Sequence, residues 1–129
     1  MKKLINILVL VLLFSVKSYG QSEKCDLQGI WLTNNKTLKI EFYKPNDTYQ
    51  AKVIWKSEDA DSDVNVGDII IKGLKYNSSK NKYEDGTLRA KGTKLDCEIL
   101  CANANEIEIL MWIGFIKVKK DVVWTRVKN

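Results

Sequence analysis

From Thr37 to Val127 apolar and polar residues alternate at a period of two, and no stretch holds apolar residues at helical spacing long enough to make a helix. Such a chain must place its apolar residues on one face of successive strands. Thr37-Leu38-Lys39-Ile40-Glu41-Phe42-Tyr43 sets Leu38, Ile40 and Phe42 on one side, and Tyr49, Ala51, Val53 and Trp55 share a side of the next run. Between them Lys44-Pro45-Asn46-Asp47 has turn chemistry, because proline fixes φ and the Asn-Asp pair can bond its own backbone. Ile69-Ile70-Ile71-Lys72-Gly73-Leu74 is β-branched, Thr87 to Ala90 is short, and Leu95, Cys97, Ile99 and Cys101 alternate with Lys94, Asp96 and Glu98. Ile107, Ile109, Met111 and Ile113 alternate with Glu106 and Glu108, and Val122 to Val127 closes the series. With an opening strand at Gly29-Ile30-Trp31, about eight short strands follow one another through short turns. An open sheet of that size leaves an apolar face and two edges uncovered, so it curls shut or splits into layers. The expected fold is all-β, a single antiparallel up-and-down β-barrel of about eight strands, with a β-sandwich as the alternative.

The first twenty residues read as a separate segment. Lys2 and Lys3 precede an apolar run from Leu4 to Val16, and Ser18-Tyr19-Gly20 supplies small residues before Gln21. This is the pattern of a cleaved signal peptide over 1–20, leaving 21–129 as one barrel domain with no membrane-spanning segment. The expected location is secreted or periplasmic in a bacterium. The 21 basic and 16 acidic residues of the whole chain become 18 and 16 once Lys2, Lys3 and Lys17 are removed. A net charge of +2 gives no reason to expect nucleic acid as a partner.

Histidine is absent, which removes the imidazole base of most nucleophilic enzymes and any His-ligated zinc. Cys97 and Cys101 sit four apart on one strand, about 13 Å between Cα atoms, too far for the roughly 7 Å limit of a disulfide. A disulfide therefore joins Cys25 to Cys97 or to Cys101, and the third thiol is expected to be a buried apolar group. The polar loop from Ser57 to Asp68 alternates Asp59, Asp61, Asp63 and Asn65 as calcium ligands do. Val64 stands where the loop needs glycine and Ile70 where it needs glutamate, so this is a weak metal candidate and a solvated, mobile loop is expected. No cofactor is expected. The acids of that loop, and Glu106 with Glu108 on one strand face, leave a carboxylate-based hydrolase as the minor enzymatic reading.

Gly29-x-Trp31 in the opening strand and Arg126 in the closing one resemble the calycin pattern of lipocalin- and avidin-like barrels. The resemblance implies that Trp31 plugs one end and that Arg126 packs across it, making Gly29, Trp31, Trp124 and Arg126 structural closure residues. Cys25-Asp26-Leu27-Gln28-Gly29-Ile30-Trp31 resembles the start of avidins, although the residues that hold biotin's ureido ring have no counterpart here. Across most of the chain, Gly29-Ile30-Trp31, Ile54-Trp55, Gly73-Leu74, Asp85-Gly86, Ile113-Gly114 and Trp124-Thr125-Arg126-Val127 are similar in order to the bacterial family Domain of Unknown Function 2147, small exported proteins. Asn81-Lys82-Tyr83-Glu84 and Met111-Trp112 depart from that pattern. Strict alternation puts Trp124 and Arg126 on one face and Val123, Thr125 and Val127 on the other; if the valine face is interior, Arg126 must reach Trp31 around the barrel's end.

The functional expectation is a non-catalytic binding module whose open end, opposite the plug, admits a small apolar or amphipathic ligand. Its wall is read as Phe42, Trp55, Ile71, Ile99, Ile109 and Met111, with Tyr49 near the rim. The alternative is an envelope structural or interaction module, self-associating or partner-binding through outward Leu110, Trp112 and Trp124.

Overall fold

The computed structural model describes residues 25–61, 63–90, 92–118 and 122–128, so the segment read as a signal peptide lies outside the described residues. Nine strands follow in order: β1 (Gly29–Leu32), β2 (Leu38–Tyr43), β3 (Tyr49–Lys56), β4 (Ile69–Asn77), β5 (Lys82–Ala90), β6 (Thr93–Asn103), β7 (Glu106–Ile113), β8 (Ile116–Lys117) and β9 (Val123–Arg126). Each pairs antiparallel with its neighbour, and the sheet closes because β6 pairs with β7, β7 with β9, and β9 with β1. The short β8 and β9 lie on the same edge of β7, so together they form one interrupted eighth strand. Bonds from Val118 N to Met111 O (2.8 Å) and from Ile109 N to Val122 O (2.9 Å) carry that edge between them. The barrel expected from the alternation is present, closed and up-and-down.

One end is shut by the chain's own start. Trp31 is fully buried and donates its indole N–H to Leu27 O at 3.0 Å. It pairs directly with Arg126 across the β1–β9 seam, and the Arg126 guanidinium lies 4.3 Å from the Trp31 ring centroid. The same guanidinium donates to three backbone carbonyls, Ala104 O, Gln28 O and Asp26 O. The face carrying Trp124 and Arg126 is therefore the interior one: Trp124 is buried and packs on Phe42 at 6.1 Å. Arg126 reaches Trp31 directly, with no detour around the end, and Trp124 is not part of an outer patch. Gly29 sits at φ +128°, a conformation that favours glycine, and a Cβ there would also press within 2.8 Å of Arg126 Nη1 and displace it.

The disulfide joins Cys25 to Cys101, with Cα atoms 5.9 Å apart, and leaves Cys97 as a buried free thiol. Burial, with Asp96 and Glu98 adding to it, pushes that thiol up to about 12. Tyr83 completes the closed end. It is fully buried, donates its hydroxyl to Cys25 O at 2.6 Å, accepts from Leu27 N at 3.3 Å, and packs against Tyr49 and Tyr76 at 5.1 and 5.0 Å. Asp85-Gly86 forms a bulge in β5, and a Cβ on Gly86 would lie 2.5 Å from Leu74 Cδ2 and 2.8 Å from Cys97 Sγ.

A second bulge moves one residue out of the expected wall. Ile40 pairs with Val53 but Lys39 pairs with Trp55, so Ile54 is an extra residue on β3. An inserted residue reverses the side-chain phase beyond it. Trp55 consequently leaves the interior: it is 40% exposed, and Lys39 Nζ rests 5.2 Å from its ring.

Candidate ligand cavity

Because β1 starts at the shut end and successive strands reverse direction, the loops after β1, β3, β5 and β7 all gather at the opposite end. There the barrel opens into a cavity of about 320 Å³. Its walls are Leu38, Val64, Ile70, Leu88, Ile109, Met111, Val122 and Trp124, and its rim carries Thr33, Asn34, Asn35, Thr37, Asp61, Asp63 and Arg89. The size falls at the small end of the roughly 300–1,000 Å³ usual for ligand pockets.

The bulk of the side chains explains why the barrel interior is filled toward the shut end, where the groove of about 480 Å³ beside Cys25, Cys101 and Arg126 lies outside the core. Trp31, Tyr83, Phe42 and Leu27 are fully buried and fill the shut half with the largest groups in the core. Trp124 is the partition, touching Phe42 below and lining the cavity above. Toward the mouth the inward positions are aliphatic or thioether, and they leave a gap.

Local polar bonding fixes the rim. Asn35 Oδ1 accepts from Thr33 Oγ1 (2.9 Å), Thr37 Oγ1 (2.7 Å) and Thr37 N (3.3 Å), so one side-chain carbonyl shapes the β1–β2 loop. Thr33, the buried polar residue of this loop, also accepts from Leu38 N at 3.2 Å. Ser57 N donates to Thr37 O at 2.8 Å, tying the β1–β2 loop to the start of the β3–β4 loop. At the far end of the latter, Gly67 N donates to Val53 O and Val53 N to Asp68 O, at 2.8 and 2.9 Å. Asp68 Oδ2 accepts from Asn65 N at 2.8 Å and faces Arg89 Nη2 at 4.0 Å. Val64 is buried over the cavity, so this loop is anchored by an apolar side chain rather than wholly solvated. Among the described residues no three acidic or Cys side chains come together to hold a metal, and Asp59, Asp61 and Asp63 form no such group.

Of the expected wall residues, Ile109 and Met111 line the cavity. Phe42, Tyr49, Ile71 and Ile99 are buried but are not among its lining residues, and Tyr49 sits at the shut end beside Tyr83 rather than at the rim. Leu38, Ile70, Leu88 and Val122 had not been expected. They are the inward residues nearest the open end of their strands, a position readable in sequence once Gly29–Leu32 is assigned to the shut end and the strands are counted up and down. Glu106 and Glu108 alternate with buried Ile107 and Ile109 and so face outward, away from the cavity.

No family model and no curated protein matches the sequence, so the similarity to Domain of Unknown Function 2147 has no support. Among solved structures, the chain is similar in fold to protein HP1028 from the human pathogen Helicobacter pylori, described as belonging to the lipocalin family. That match has a TM-score of 0.64 at 18% sequence identity and covers 81% of this chain and 84% of the other. The match shows that the closed barrel is lipocalin-like in fold, and the seam of Trp31 and Arg126 fits the closure expected of such a barrel.

Proposed function

We propose that this protein is an exported, non-catalytic binding module that holds a small apolar or amphipathic molecule in the mouth of the barrel. The observation that carries this reading is the 320 Å³ cavity, apolar in its walls and polar only at its rim. Such a site takes up an apolar body by removing its surface from water, at about 25 cal/mol per Å², and leaves a polar end among Thr33, Asn35, Asp61 and Asp63. The Cys25–Cys101 disulfide supports export, since such bonds persist in oxidising compartments. The likeness of fold to HP1028, a protein described as belonging to the lipocalin family, supports a binding role. Among the described residues no helix is long and apolar enough to cross a membrane.

The test is a titration with the neutral dye N-phenyl-1-naphthylamine on wild type, Met111→Trp and Phe115→Ser. Saturable one-site binding is expected in wild type and in Phe115→Ser, whose side chain lies wholly outside. In Met111→Trp, the larger ring enters the cavity and affinity falls roughly tenfold or more, the loss of about 1.4 kcal/mol or beyond. Absence of saturable binding in wild type, or equal binding in Met111→Trp, overturns the reading.

A further inference from the structure

All the large apolar residues that the described chain exposes lie at one end. Trp55 (40% exposed), Val66 (60%), Ile113 (54%), Phe115 (106%) and Ile116 (72%) all belong to the strand ends and loops of the open mouth, and none to the shut end. Three of them are gathered on the β7–β8 hairpin, where Ile113 pairs with Ile116 and Gly114-Phe115 makes the turn. Gly114 has φ +60° with nothing within 4 Å of its would-be Cβ, so the tip stands clear of the barrel. An apolar cluster kept in water at a projecting turn calls for an occupant.

The occupant can be argued from area, shape and charge. Ile113, Phe115 and Ile116 together offer roughly 500 Å² at most, well below the roughly 800 Å² per partner that a stable protein interface buries. A narrow projecting hairpin presents no flat face to a second copy, whereas a lipid interface deforms around it. Lys117, exposed and paired with Trp112, lies directly beside the tip. Exposed Lys94 stands on the other side, two residues nearer the mouth than the exposed Asp96 that pairs with Trp112, so lysine is the charge closest to the tip on both sides. The acids Asp59, Asp61 and Asp63 belong to the β3–β4 loop, which the strand order puts across the mouth from the hairpin. Apolar side chains flanked by lysines are the pattern of a segment that sits in the headgroup layer of an anionic bilayer.

We infer that the Ile113–Ile116 hairpin tip docks the open end of the barrel onto an anionic lipid surface, inserting Phe115 and Ile116 while Lys94 and Lys117 meet the headgroups. The hairpin side leads and the acidic loop stays away from the surface, so the barrel stands tilted with its cavity beside the lipid. This stands on the exposed tip and holds whether or not the cavity takes a ligand.

The experiment is vesicle co-flotation of the chain from Gln21 onward, which keeps every strand and omits the apolar run at 4–16 that would itself bind lipid. Phosphatidylcholine vesicles with and without phosphatidylglycerol are compared for wild type, the double variant Phe115→Ser with Ile116→Ser, and Lys117→Glu. Neither Phe115 nor Ile116 is part of the core, so the double variant should fold, and its circular dichroism confirms that. Wild type is expected to float with the anionic vesicles, more weakly with neutral ones, and to be released by salt. The double variant should lose partitioning by roughly tenfold or more, and Lys117→Glu by several-fold. No flotation of wild type, or equal flotation of wild type and the double variant, overturns the inference. So does light scattering that shows a wild-type dimer abolished in the double variant, which would assign the tip to a second copy of the chain.

Discussion

Replacing Arg126 by alanine removes the guanidinium from the Trp31 ring, where it lies at 4.3 Å, and frees the carbonyls of Asp26, Gln28 and Ala104. The stacking contact is worth about 1 kcal/mol, since the Trp31 face is buried but the guanidinium is on the solvent side. Each charged hydrogen bond is worth about 1.5–3 kcal/mol in a buried setting, but the Arg126 bonds are on the solvent side, so about 0.5 kcal/mol apiece is the better figure. Together these give a loss of about 2–4 kcal/mol from a total stability of about 5–15 kcal/mol for a domain of this size. Lysine keeps the charge but replaces the planar fork by one compact ammonium, which cannot stack on Trp31 and reach carbonyls on separate sides together, so Arg126→Lys should recover less than half of the loss. Urea unfolding of wild type, Arg126→Ala and Arg126→Lys, followed by tryptophan fluorescence, measures these differences. A double-mutant cycle with Trp31→Phe isolates the stacking contribution, expected at about 1 kcal/mol. If Arg126→Ala costs less than about 1 kcal/mol, or if lysine is as good as arginine, the seam is not what shuts this end.

The Cys25–Cys101 bond closes a loop spanning 76 residues, and chain-entropy reasoning sets its contribution at about 4.5 kcal/mol. Urea midpoints of the oxidised protein and of Cys25→Ser with Cys101→Ser should differ accordingly, and a difference below about 1 kcal/mol would contradict it. The buried Cys97 thiol makes stability fall in alkali: the unfolded chain releases this proton near 9.0 and the folded chain holds it to about 12. The contribution is therefore complete below pH 9 and declines by about 1.4 kcal/mol per pH unit above it, an upper figure because the native state can relax. Cys97→Ala should show a flatter fall between pH 9 and pH 10 in the same unfolding assay, and an unchanged slope would exclude this source.

The barrel was legible because each strand carries one apolar face, and a period of two survives everything that happens at the turns. The disulfide was half legible: extended spacing excludes Cys97–Cys101, but choosing between them for Cys25 requires knowing that β6 brings its last inward residues, not its middle, to the shut end. Trp55 was placed on the wrong side because a bulge at Ile54 has no signature in a run that alternates on either side of it. Tyr83 went unseen among Lys82, Glu84 and Asp85, although its ring is fully buried and its hydroxyl holds the N-terminal segment. Val64 was hidden in the acidic loop for the same reason: one apolar residue in a polar run becomes an anchor only when the loop folds back over a cavity. The cavity itself depends on which inward residues share a level in the barrel, and that is set by register and by the several bulges together.

The two ends of the barrel divide the work in a way that keeps binding and stability separable. The shut end concentrates the disulfide, the Arg126 fork, the Tyr83 hydroxyl and the largest buried rings. Opening it would break several of these at once, so it moves only with global unfolding. The mouth is held by short polar bonds such as those of Asn35 and by the buried side chains of Thr33 and Val64, and these can yield one at a time. In the proposed binding role, a molecule would pass Val64 while the bonds at the far end stay in place. The exposed Ile113, Phe115 and Ile116 stand at this same yielding end. In the proposed docking, contact at that hairpin meets the mouth on the side away from Val64 and leaves the closure at the far end untouched.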